Sequence, residues 1–200
     1  MDDDKKTKIM TRIWRTKGCR FNAYRRLLKK NSVLTFVTSF SSIHLLAIGI
    51  LQLTTLITLS ADQSQLLSFI SIILSIIILA YSLIENGKEH GLKSERHHSC
   101  GIDLGRIYTQ LELLEKNDTV GVSQLANKYD LVTKKYLLNH ETIDDEFFQL
   151  QHPTDFPQIN SKNEFKKFII KFLYSYFDAT KAAIFVFVPL IISVYIIWKL

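Results

Sequence analysis

Three long stretches of this sequence contain no Asp, Glu, Lys or Arg: residues 31–61, 63–84 and 182–198, which are 31, 22 and 17 residues long. A helix on the surface of a soluble protein carries charge on its water-facing side every few residues. These stretches have no such side. A bilayer span needs about 20 apolar residues, with a range of roughly 17 to 25, so the first two qualify readily and the third sits at the lower limit. Cysteine is scarce as well. Cys19 and Cys100 are the only two, too few for a disulfide framework, and both fall in segments expected to be cytoplasmic and reduced. CxxC, HExxH and phosphate-binding glycine loops are all missing. No nucleophile has a positioned base beside it, so no enzymatic activity and no cofactor are expected. Strand-like alternation is absent too, and the expected fold class is all-α.

What the chain does have is basic charge, unevenly placed. Of its 25 Lys and Arg, 11 lie in residues 1–32, 13 in residues 85–181 and one after residue 198. The short segment 60–65 has none and carries Asp62. Basic flanks stay on the cytoplasmic side. The expected topology is a multi-pass inner-membrane protein with its N-terminus and residues 85–181 inside and residues 60–65 outside. If the third run spans, the C-terminus is outside. A tail that lies on the membrane or re-enters it is the alternative, because Pro189 would kink a helix there. No cleavable leader is expected, since the first apolar run follows the whole basic segment and is longer than a leader's apolar core. Residues 8–30 place Ile9, Ile13, Phe21, Tyr24 and Leu28 among nine basic residues. That pattern suits a helix on anionic headgroups or beside the membrane hairpin. Nucleic-acid binding competes for the same charge, but charge beside a span reports topology, and no direct nucleic-acid partner is expected.

The expected organisation is a basic amphipathic helix over 1–32, a transmembrane hairpin over 33–84 (spans 33–59 and 66–84) and a cytoplasmic helical hairpin over 85–150. A linker and a basic aromatic interfacial helix follow over 151–181, then an apolar helix over 182–198. Within the cytoplasmic hairpin, His90, His97, Leu104 and Leu111 recur every seven residues, with Cys100, Ile107 and Leu114 between them. This is a coiled-coil-like seam. Asn117-Asp118 with Gly121 marks a turn, and Ser123 is the expected N-cap of a second helix running to about His140. The stretch SERHHSCG (94–101) raises a metal or thiol site. His97 and Cys100 are three apart and share a helix face, but a structural zinc needs four ligands. Packing at the seam is the leading reading, with metal binding or redox sensing by His97 and Cys100 as the weaker one.

The apolar runs carry polar stripes. Ser64, Ser68, Ser71, Ser75 and Ser82 fall on one helix face, and Thr35, Thr38, Ser42, Gly49 and Gln52 on another. Small hydroxyl residues let membrane helices approach and hydrogen-bond, or they line a watery passage between assembled hairpins. The absence of charge within the runs argues against an ion-coupled transporter. Within the expected spans, His44 and Gln52 are the only strongly polar candidates.

RFNAYRRL (20–27), EHGLKSERHHSCGIDLGRIYTQL (89–111) and KKYLLNHETIDDEFF (134–148), set around a tight membrane hairpin, resemble the SLATT proteins. These are two-transmembrane effectors associated with SMODS nucleotidyltransferases and SLOG sensors in bacterial conflict systems. The added C-terminal apolar run resembles the subgroup found beside reverse transcriptases. The resemblance implies an effector that oligomerises in the bilayer, forms a pore or otherwise breaches the inner membrane on a phage-derived signal, and causes abortive infection. The implied partners are further copies of the chain and an operon-encoded sensor, nucleotidyltransferase or reverse transcriptase. The alternative expectation is a membrane-anchored scaffold or sensor that recruits a cytoplasmic partner.

Overall fold

The computed structural model describes residues 2–54, 59–115, 118–160 and 163–199. Among the described residues the helices run in the order α1 (Asp2–Leu53), α2 (Ala61–Asn86), α3 (His90–Leu113), α4 (Thr119–Tyr136), α5 (Thr142–Gln151), α6 (Pro157–Asn160), α7 (Glu164–Ser175) and α8 (Phe177–Lys199). Among the described residues there is no strand, so the chain is all-α. Contacts divide it into two units. One joins residues 1–29 to 90–176, the other joins 30–89 to 177–200, and α1 contributes to both.

The first unit is a helical bundle with two apolar cores. Ile13 of α1 packs with Cys100, Leu104, Ile107 and Leu111 of α3 and with Val122 and Tyr129 of α4. Every expected seam residue from His90 to Leu111 is buried, and Leu114 packs at the edge. Tyr129 is the buried centre of the α4 face, with Leu125, Val132 and Tyr136 packed against it. The second core gathers Cys19 of α1, Phe148 of α5, Phe156, Ile159 of α6 and Ile170 of α7. Two glycines permit these approaches. A Cβ on Gly18 would lie 2.0 Å from the Phe148 ring, and one on Gly101 would lie 2.9 Å from the Phe21 ring.

Helix ends differ from the sequence expectation for identifiable reasons. Asp118, not Ser123, caps α4: its carboxylate accepts from the Gly121 N–H at 2.8 Å. The neighbouring Asn117 of the expected turn lies outside the described residues. Helix α4 ends at Tyr136 rather than near His140 because Leu137 turns left-handed, with φ 49°. The chain is not one continuous helix from α2 into α3: Glu89 between them adopts φ 52°.

The second unit comprises the rest of α1, α2 and α8. Each has an apolar stretch long enough to cross a membrane. Helix α1 continues through residues 32 and 33 without interruption. Helix α2 begins at Ala61, before the expected residue 66. Ser60 Oγ accepts from the Gln63 N–H at 3.2 Å, and the Gln63 side chain accepts from the Ser60 N–H at 2.7 Å. This reciprocal pair satisfies two N–H groups that a helix start otherwise leaves open. Residues 55–58, at the end of the first expected span, lie outside the described residues. Helix α8 runs through Pro189. Ile48, Leu67 and Ile196 pack together from the three helices, and Tyr81 stacks on Phe185 with ring centroids 4.9 Å apart.

Candidate functional site

Away from water, every polar group needs an internal partner, and in the apolar unit several hydroxyls find one on their own helix. Thr35 donates to the Asn31 carbonyl, Thr38 to Leu34, Ser42 to Thr38 and Ser75 to Ser71. Gln52 reaches across instead. Its Nε2 donates to the Ser64 carbonyl at 3.0 Å and to Ser68 Oγ at 3.1 Å, tying α1 to α2. Near the other end of the two helices, Thr35, Thr38 and Ser82 share a groove of about 210 Å³ with Asn31, Tyr81 and Asn86. Asn86 Nδ2 also donates to Ser82 Oγ at 3.3 Å. The stripe residues are therefore divided. Gln52, Ser64 and Ser68 meet inside the unit, whereas Thr35, Ser42 and Ser75 are exposed. Ser71 is half-buried, and its Oγ has no hydrogen-bond partner.

Helix α8 brings polar groups that the stripes did not include. His44 Nε2 lies 3.3 Å from Ser193 Oγ, and that hydroxyl donates to the Pro189 carbonyl at 2.9 Å. Gln63 Nε2 reaches the Ile196 carbonyl at 3.4 Å. Ser41, Gln63 and Ser193 are all buried. The sequence signal for Ser193 is a single hydroxyl in an apolar run, which by itself indicates nothing.

In the bundle, His97 and Cys100 are packed, and among the described residues they belong to no cluster of three metal-ligating side chains. Cys100 lies in the first apolar core, where burial pushes its thiol pKa up. His97 is 4% exposed, and its Nδ1 is 3.4 Å from the Arg20 guanidinium. Burial, then the charges of Arg20 and Arg26, lowers its pKa to about 4. His98 sits against the rings of Tyr24 and Phe21, at 4.6 and 5.9 Å.

A different polar constellation occupies the face of α1 toward α5. Arg15, Cys19, Asn22 and Arg26 follow spacings of 4, 3 and 4, so they share one helix face. All four meet the start of α5. Arg15 pairs with Asp145 through two bonds of 2.7 and 2.6 Å, and the Cys19 thiol donates to the same carboxylate at 3.3 Å. Asn22 donates to the Asp144 carbonyl at 3.0 Å. Arg26 forks onto both Asp144 oxygens at 2.9 and 3.0 Å. Asp144 is fully buried and also accepts the Glu141 N–H that starts α5. The hydrogen bonds from Arg15 hold Asp145 below the usual carboxylate range. Burial, reinforced by Asp145, raises the Cys19 pKa. Burial, then the Arg20 charge, lowers that of His140. The N-terminal segment expected to lie on headgroups thus spends part of its basic charge inside the bundle. The R-x3-C-x2-N-x3-R spacing and the Asp144-Asp145 pair were visible in the sequence, but nothing local said that they meet.

The family model of the SMODS and SLOG-associating 2TM effector domain family 5 matches residues 2–198. No curated protein and no solved structure matches the chain.

Proposed function

This chain belongs to the SMODS and SLOG-associating 2TM effector domain family 5, a family of membrane effectors, and from that membership we propose that its hairpins assemble in the inner membrane into a leak. The observation that carries this reading is the bareness of the apolar unit. The apolar windows of its three long helices are only 17%, 11% and 17% buried, so lipid or further copies of the chain must cover them. Gln52, Ser64 and Ser68 hold each hairpin together, and the outward-turned Thr35, Ser42 and Ser75 line the contact between copies or the passage they enclose. The basic residues of 1–32 and 85–181 keep the bundle in the cytoplasm, with Asp62 outside. Helix α7 exposes Phe165, Phe168, Ile169 and Leu173 beside Lys166, Lys167 and Lys171, which suits a helix lying on an anionic leaflet. An infection signal received by the bundle, from a messenger or an operon-encoded partner, shifts the oligomer, and the cell stops growing before phage are released.

Induced expression in bacteria carrying a potential-sensitive dye tests this. The expected result is depolarisation with growth arrest. An intact potential, with the protein verified in the membrane and activated by infection, overturns the leak. A scaffold that recruits a cytoplasmic partner is the second reading, favoured by the two apolar cores of the bundle. Protection retained after removal of the apolar helices would select it.

A further inference from the structure

We propose that Cys19, His140 and Asp145 bind one divalent transition metal of the zinc class. One ligand atom from each lies within 4.8 Å of the other two. The three come from separate places in the chain: α1, the segment leading into α5, and the first turn of α5. Zinc takes sulfur at about 2.3 Å and carboxylate oxygen at about 2.0–2.2 Å in tetrahedral geometry, which places such ligands about 3.5 Å apart. Cys19 Sγ and Asp145 Oδ1 are already 3.3 Å apart. His140 supplies the second, independent observation. Its Nδ1 is buried and has no hydrogen-bond partner. A buried polar atom without a partner carries a desolvation penalty, and a metal bound at Nδ1 would supply the missing partner.

The carboxylate is held as ligating carboxylates usually are, by an outer layer of donors that fixes its direction. Arg15 Nη2 and Gln149 Nε2 both donate to Asp145 Oδ2, at 2.6 and 2.8 Å. They leave Oδ1 to face Cys19 and the Arg15 Nε. On binding, the metal takes the place of the thiol proton. The Cys19 S–H bond breaks, the proton leaves to solvent, and sulfur and Oδ1 each donate a pair to the cation. A thiolate and a carboxylate balance the two positive charges of the ion. Three protein ligands leave the fourth position to water, the arrangement of an exchangeable site rather than a closed structural one. Bound there, the ion clips α1 to the start of α5.

The test uses the full chain purified in detergent, loaded separately with zinc and cobalt and then desalted. Elemental analysis is expected to find about one zinc per chain, and the cobalt form to show thiolate-to-metal charge-transfer absorption. Cys19→Ser and His140→Gln should reduce bound metal to below about a tenth per chain, while Cys100→Ser leaves both readouts unchanged. Circular dichroism verifies that each variant is folded. If Cys19→Ser does not fold, the charge-transfer band of the unaltered protein decides. A metal-free unaltered chain after loading, or a charge-transfer band that survives Cys19→Ser, overturns the proposal. Neither readout depends on membrane leakage, so this site and the leak fail separately.

Discussion

His97 is the residue whose titration should be felt first. It is buried beside Arg20, and its pKa lies near 4 against an ordinary 6.5. The unfolded chain therefore binds the His97 proton between those values and the folded bundle does not. Stability is unaffected above about pH 6.5 and falls as pH drops through the window, by on the order of 2 kcal/mol at pH 4.5. Denaturant midpoints of the bundle measured across this range should show the slope, and His97→Gln should flatten it. Asp145 acts in the same direction, over a lower pH range. Its pKa is depressed by Arg15, so its contribution is present above the unfolded value and is lost only at still lower pH. Asp144 is the residue with most at stake structurally. Asp144→Ala would take the buried partner from the Arg26 guanidinium, whose side chain is 11% exposed, leaving it the exposed Glu141 carboxylate at 3.1 Å, and would remove the acceptor that starts α5. Breaking a buried pair costs about 3–5 kcal/mol. Thermal unfolding by circular dichroism should show a loss of that size, and Arg26→Met combined with Asp144→Leu should recover part of it.

At the scale of elements, close approach between helices is set by single missing methyl groups. Gly18 lets α1 press on Phe148 of α5. Gly18→Ala should destabilise the bundle by about 1–3 kcal/mol through overpacking, and Phe148→Leu in the same chain should cost less than it does alone. Helix α4 ends on Leu137 in the left-handed region, with the side chain 88% exposed. A residue with a Cβ is strained there by about 1–2 kcal/mol. Leu137→Gly should therefore raise the unfolding midpoint, a net stabilisation of about 1 kcal/mol after the entropy that glycine adds to the unfolded chain. A lower midpoint would show that this helix end is not strained. The start of α2 was readable as Ser60-x-x-Gln63, a capping box. The true cap of α4 was readable as Asp118 three residues before Gly121.

For the whole molecule, the two units answer to different solvents. The bundle buries two sets of apolar side chains in cores of its own. The apolar unit leaves Phe36, Leu46, Phe69, Ile76, Phe187 and Ile191 more than half exposed. The full chain should remain dispersed only in detergent or lipid, which size-exclusion chromatography with and without detergent checks. Deleting α1 to α2 as far as residue 89 would remove Ile13 and Cys19 from the two cores along with the spans. A bundle retaining residues 1–29 joined by a short linker to 90–176 is the piece to compare.

Local pattern alone determined a good deal. Uncharged runs marked the three long apolar helices, because the bilayer's demand for apolar side chains acts residue by residue. The seven-residue recurrence marked the buried face from His90 to Leu111, because helix geometry puts those positions on one side. What covers each face was decided only in three dimensions. Arg15 meets Asp145 across 130 residues and Arg26 meets Asp144 across 118. His44 meets Ser193 across 149. No periodicity in the sequence encodes such pairings. They arise when the chain's path carries two compatible faces together, and opposite charge or a shared hydrogen bond then makes that path the favourable one.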